Sequence, residues 1–237
     1  TKILRDYITD QELYEKIVDR YESKKSNEDL FIMSISMQNH GGYTEKYDNF
    51  DEKARMLGIN YPDVNQYLSL IHESDSALEY LISYFEKVDD PVEIVFFGDH
   101  QPSLSSSFYP YLNGKGLGGL TLSELENLYT VPFFIWTNYD SEKENVELTS
   151  LNYLSTLALE RAGITLPAYN QFLADMMEEI PAVNSRGFYS KSQGRFLHVE
   201  DAAGEDARWL KNYEILQYNN MFDKRNRSEL FFPYLKQ

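Results

Sequence analysis

Apolar positions along the chain fall into two kinds of pattern, and each predicts a different element. Thr9-x-x-Glu12 has the form of a capping box, and Leu13, Ile17, Val18 and Tyr21 follow at helical spacing, which predicts a helix over about 9–23. Val64, Tyr67, Leu68, Ile71, Leu78, Leu81, Ile82, Phe85 and Val88 mark a long amphipathic helix that opens at Pro62-Asp63 and stops at Asp89-Asp90-Pro91. Shorter helices are predicted over about 121–128, where Thr121-x-x-Glu124 is a second capping box, and over 150–162, 168–179 and 205–218. Three short apolar runs read instead as buried strands: 30–37, which breaks into Gln38-Asn39-His40-Gly41-Gly42-Tyr43, 92–97, which stops at Gly98-Asp99-His100, and 129–136. A further strand is expected near Gly194 to His198.

Helices alternating with apolar strands predict an α/β layered fold with a largely parallel central sheet flanked by helices. No repeat or linker divides the sequence, so it reads as a single domain over 1–237, with 181–237 a less regular subregion. The composition of the 237 residues, 42% hydrophobic and 25% charged, is that of a globular protein able to bury a core. A formal net charge of -16 opposes phosphate backbones and excludes nucleic acid as the expected partner. No apolar run reaches the ~20 residues of a membrane helix. With no cysteine, thiolate metal sites and Cys nucleophiles are excluded. The first residue is Thr1 rather than Met, so the sequence reads as a portion of a longer protein.

In open α/β sheets ligands bind where loops leave the carboxyl ends of strands. Asp99 and His100 stand in such a place, after a glycine that gives the backbone freedom, and a carboxylate beside an imidazole can face one cation. The pair equally suits a turn in which Asp99 caps a backbone group. His40 ends the earlier run and can open onto the same rim or be a loop histidine satisfied by backbone. His72 and His198 lack such context and read as structural or solvent-facing. Gly114-Lys115-Gly116-Leu117-Gly118-Gly119 fits G-x-G-x-x-G by letter, but no apolar strand runs into it, and it reads as a surface loop.

Taken together, Met37-Gln38-Asn39-His40-Gly41-Gly42-Tyr43, Phe96-Phe97-Gly98-Asp99-His100-Gln101-Pro102, Val131-Pro132-Phe133-Phe134-Ile135-Trp136 and Tyr213-Glu214-Ile215-Leu216-Gln217-Tyr218-Asn219 resemble a known family. They are similar to the lipoteichoic acid synthase and phosphoglycerol transferase branch of the sulfatase-like enzymes, in the alkaline phosphatase superfamily. The resemblance implies an alkaline phosphatase/sulfatase-like fold whose N-terminal strands are missing here. It implies that Asp99 and His100 are two ligands of one divalent metal ion, manganese or zinc, held weakly by two residues. It implies that His40 contacts the phosphoglycerol head group, and that the substrate is a glycerophospholipid or another phosphate or sulfate ester. In such enzymes a Thr attacks phosphorus and becomes phosphorylated. No threonine here occupies that context, so the catalytic residue is expected upstream and this chain alone is expected to be inactive. The parent is expected to be membrane-anchored, with its catalytic domain on the extracellular face. Two other readings stay open: a sulfatase or phosphodiesterase hydrolase of the same superfamily, and a non-catalytic polymer-binding domain.

Overall fold

The computed structural model describes residues 1–223 and 225–233, so the end of the predicted 181–237 subregion lies outside the described residues. Internal contacts divide the chain into two compact units, Thr1–Val92 with Gly98–Gly119, and Glu93–Phe97 with Leu120–Gln237.

The first unit opens with a short antiparallel hairpin, β1 (Ile3–Leu4) and β2 (Tyr7–Ile8), and continues into α1 (Asp10–Glu22) and α2 (Pro62–Phe85). Thr9 caps α1 as its sequence predicts, its hydroxyl accepting from the Glu12 amide at 3.1 Å. The two helices pack through Tyr14, Val18, Ala77, Leu81 and Phe85, all buried. Polar groups join them too: the buried Asp10 accepts from the Ser74 hydroxyl at 2.5 Å. Residues 44–60 carry no regular element and are strapped to α2 by side chains. The Ser69 hydroxyl accepts from the Lys53 and Ala54 amides, each at 2.9 Å, and Asn65 accepts from the Met56 amide at 2.9 Å. A short helix α3 (Phe108–Asn113) follows, which the sequence had hidden behind Pro110, and it ends at Gly114 in the left-handed region (φ 71°).

The run over 30–37 differs from its prediction. It is neither buried nor paired in a ladder: Phe31 is 90% exposed, and Met33 and Ile35 are each 72% exposed. An apolar pattern reports that a strand is suited to an interior, but it cannot supply the neighbours that make one.

The second unit holds β3 (Glu93–Phe97) and β4 (Phe133–Thr137), with α4 (Leu122–Asn127) capped by the predicted box at Thr121 and Glu124. The expected parallel pairing is corrected here. β3 and β4 are antiparallel, with Phe97 opposite Phe133, so the intervening residues leave and return at the same end. Hydrophobic periodicity fixes which residues form strands but carries no information on their direction. Then come α5 (Leu154–Arg161), entered through a 3₁₀ turn at Leu151–Tyr153, and α6 (Ala168–Met177). The hairpin β5 (Gly187–Ser190) and β6 (Arg195–His198) and the long α7 (Gly204–Met221) complete the unit. All described strand pairs are antiparallel.

The core of this unit is Tyr153, Leu173, Met176, Ile180, Phe188 and Leu197, with Trp209 and Tyr213 of α7 packed against it. The Tyr153 hydroxyl, buried with its ring, donates to the Ile180 carbonyl at 2.6 Å. Gly187 is required by close approach, since a Cβ there would lie 2.7 Å from the Leu197 carbonyl oxygen.

Two predictions follow from this packing. Burial raises the Asp10 carboxyl above its ordinary value, with hydrogen bonds from Ser74 and Ser36 working against the rise. A raised folded-state pKa gives stability that is present at low pH and lost as pH climbs through the raised value. The melting temperature of Asp10→Asn relative to the wild type should therefore climb between about pH 3 and about pH 7; a difference that shrinks over that range would contradict the burial account. In the second unit, Phe188→Ala should cost about 3–5 kcal/mol in urea unfolding, and a cost under about 1 kcal/mol would show that the site collapses around the deletion.

Candidate functional site

Both motif segments lie in the first unit, and α2 anchors each of them. Gln38 is buried, and its side-chain amide donates to the Ser74 hydroxyl at 3.1 Å while its carbonyl oxygen accepts from the Asp10 amide at 3.1 Å. Asn39 donates to the same Ser74 hydroxyl at 2.7 Å. Tyr43 returns to the loop, its hydroxyl donating to the Asn39 carbonyl at 2.8 Å, and its ring packs edge-on against Tyr67 of α2. These contacts bury the flanks of the loop and leave the His40 ring exposed. On the His40 ring, Nδ1 sits 2.9 Å from the Gly41 carbonyl and 3.1 Å from the Tyr7 hydroxyl.

Asp99 and His100 follow β3 directly, and both side chains are exposed. Asp99 does what the turn reading expected, its Oδ1 accepting from the His100 amide at 2.9 Å. Its other oxygen, Oδ2, lies 3.6 Å from His100 Nε2. His100 Nδ1 lies 2.9 Å from the Gln101 carbonyl, a pure acceptor, which assigns the proton of the neutral ring to Nδ1 and leaves Nε2 with a free lone pair. An imidazole held through Nδ1 by a backbone carbonyl is oriented as metal-binding histidines are. A hard carboxylate oxygen and a bare imidazole nitrogen thus face one another at a separation that one divalent cation can bridge. The fit is partial: among the described residues no group of three or more His, Asp or Glu gathers at one point.

The segment after His100 is fixed to the start of α2. The buried Asp63 accepts from the Ser105 amide at 2.6 Å, and the Tyr61 hydroxyl donates to the Ser107 carbonyl at 3.1 Å. Asp63, Gln66, Leu70 and Ser74 recur at helical spacing along one stripe of α2, so a single face of this helix holds both loops. Beside the His40 loop, the Tyr43 phenol is pushed up to about 12, first by burial, then by Tyr67, with Arg5 opposing the rise and the Asp99 charge adding to it.

His72 and His198 are exposed and join neither loop. Gly114 to Gly119 forms the end of α3 and a 3₁₀ turn rather than a phosphate-binding strand junction. In the second unit an open cavity of about 470 Å³ is lined by Asp140, Glu142, Glu144 and Arg161 among others, far from either motif in sequence and holding no histidine. Sequence reasoning missed Arg5, Tyr7, Asp10 and Ser74, which hydrogen-bond to residues 38–40 from sites distant along the chain. No local pattern marks them.

Residues 2–164 match the Sulfatase family, a span that includes His40, Asp99 and His100. A putative cyclic beta-1,2-glucan modification protein of Rhizobium meliloti (strain 1021) is 22% identical over 243 residues, covering 95% of this chain and 36% of that protein. The capsular polysaccharide biosynthesis protein RkpI of the same organism is 34% identical over 105 residues, 44% of this chain and 18% of its own length. Among solved structures, Streptococcus pyogenes phosphoglycerol transferase GacH in complex with sn-glycerol-1-phosphate shares the fold, with a TM-score of 0.63 at 20% identity over 92% of this chain and 51% of that one. The chain therefore spans between about a fifth and half of the length of these relatives. The α/β fold and the resemblance drawn from the motifs meet in these matches, and with the family matched over well over half of its residues, the chain belongs to the sulfatase family.

Proposed function

We propose that this chain is part of an extracellular, metal-dependent phosphoglycerol transferase that acts on a glycerophospholipid donor, with the threonine nucleophile on polypeptide outside the chain. The observation that carries the reading is the approach of Asp99 Oδ2 to Nε2 of His100 at 3.6 Å, on a loop anchored to the helix that also anchors the His40 loop. In this reading Asp99 and His100 supply two ligands to a manganese or zinc ion. A divalent ion held by these two residues would supply charge neutralisation at the transferring phosphoryl group and a lowered pKa at the attacking hydroxyl. His40 holds the head group by hydrogen bonding, from a loop whose flanks are too well buried to drift. GacH was solved with sn-glycerol-1-phosphate, which supports a phosphate ester as substrate, and the two Rhizobium proteins, named for cyclic beta-1,2-glucan modification and capsular polysaccharide biosynthesis, support a carbohydrate polymer as acceptor.

The exposed apolar segment 31–37 has a place in the same reading. Side chains suited to an interior on an unpaired backbone are what a central strand shows when its neighbours belong to other polypeptide. No helix among the described residues is long and apolar enough to cross a membrane.

The 237-residue chain, assayed with manganese, should show no transfer from a phosphatidylglycerol donor and no phosphodiesterase turnover, because a two-step displacement needs a covalent acceptor. A longer polypeptide that includes the preceding segment should be active. Asp99→Ala in it should lower turnover on the order of a hundredfold or more, the scale lost when one electrostatic partner of a reacting group is removed. Robust turnover by the chain alone, abolished by replacing a threonine within it, would overturn the proposal.

A further inference from the structure

We propose that Arg5, in the β1–β2 turn, and Tyr7, at the start of β2, are positioning residues of His40: Arg5 sets the backbone of its loop and Tyr7 sets its ring, so that Nε2 meets the ligand as a hydrogen-bond acceptor. The inference rests on the reading of His40 as a head-group contact and specifies how that contact is made.

Arg5 is only 3% exposed and has a φ of 54°, a left-handed conformation that a non-glycine residue keeps only where its surroundings over-determine it. Its surroundings are the His40 loop. Nη1 donates to the Gly42 carbonyl at 3.1 Å and to Gln66 Oε1 at 3.1 Å, while Nη2 donates to the Gln38 carbonyl at 3.4 Å and to the His40 carbonyl. One planar guanidinium thus gathers the carbonyls of residues 38, 40 and 42 and ties them to α2. A lysine ammonium, a compact point charge with three donors, cannot reproduce that spread. The rings of Tyr7, Tyr43 and Tyr47 lie 5.5–5.7 Å from the guanidinium carbon, which keeps water from competing for it. Asn49 donates to the Arg5 carbonyl at 3.0 Å and holds the hairpin in place.

Tyr7 acts on the ring. Its hydroxyl is 3.1 Å from His40 Nδ1, and the two ring centroids are 5.5 Å apart. The Gly41 carbonyl, 2.9 Å from the same nitrogen, has no proton to give, so the network assigns the proton to Nδ1, with the carbonyl and the Tyr7 oxygen as its acceptors. Nε2 of the neutral ring then carries a lone pair. Such a nitrogen accepts from a hydroxyl of the ligand, as a glycerol or sugar group would offer, whereas a phosphate oxygen would require a proton on it.

Nitrogen NMR of the isotopically labelled chain tests this without substrate, so the outcome is independent of whether the parent is a transferase. The sequence has four histidines, and His40→Gln identifies the relevant ring. Above the usual imidazole range, the wild type should show Nδ1 protonated and Nε2 bare as one dominant tautomer. Tyr7→Phe, which removes one of the two acceptors and keeps the ring, should retain the dispersed amide spectrum of a folded chain and move the His40 nitrogen shifts part of the way toward those of an averaged tautomer, the Gly41 carbonyl still holding the Nδ1 proton. Arg5→Lys should in addition move the amide resonances of 38–42. A wild-type ring protonated on Nε2, or Tyr7→Phe ring shifts identical to wild type, would overturn the proposal. Both readings remain decisive if Arg5→Lys does not fold.

Discussion

A helix that buries polar side chains has to satisfy them, and in the first unit that requirement creates the site. Asp63, Asn65, Gln66 and Ser69 of α2 are all buried, where unmade hydrogen bonds would each cost about 1–3 kcal/mol. Their partners are backbone groups of irregular segments: Ser105 for Asp63, Met56 for Asn65, Glu45 for Gln66, Lys53 and Ala54 for Ser69. Each bond satisfies a buried group of the helix and fixes a loop that has no ladder of its own. Farther along, the Leu70 carbonyl and the Ser74 hydroxyl do the same for Gln38 and Asn39. Short polar tethers to one rigid element give loops the accuracy that chemistry needs while the side chains at their tips stay exposed.

The second unit is built on the opposite principle. Tyr153, Phe188, Leu173, Met176 and Ile180 form an apolar core, and the polar groups inside it find partners within the same unit, as Ser190 does in donating to Asp206 at 2.7 Å. Glu126 is the exception: one carboxylate oxygen accepts from Asn184, while the other is buried with no hydrogen-bond partner among the described residues. This unit supplies β3, the strand from which Asp99 and His100 emerge, but none of the side chains assigned a role.

Elements governed by local signals were legible in the sequence. The caps at Thr9 and Thr121, the Pro62 start of α2 and the strand stop at Gly98 are each written within a few residues of the feature they produce. Strand direction was not legible, because Phe97 and Phe133 read the same whichever way they pair. Nor was the exposure of 31–37, which depends on what lies beside it. In the site, His40, Asp99 and His100 stood out through residue type and neighbouring glycines, whereas Arg5 and Asp10 could not. Their partners Gly42, Gln66 and Ser74 lie 37, 61 and 64 residues away, and only the folded chain brings them together.

The central claim is that the Asp99–His100 pair forms a cation site within reach of the His40 loop, both being held by one helix. Manganese titrated into the labelled chain reads this directly, since a paramagnetic ion broadens the resonances nearest to it. A surface of net charge -16 will gather some manganese at scattered carboxylates, so Asp99→Ala is the necessary control. The account predicts that amides 98–101 and 39–43 broaden together, ahead of the rest of the chain, and that both effects vanish in the variant. Broadening of one loop without the other, or broadening that survives Asp99→Ala, would contradict it.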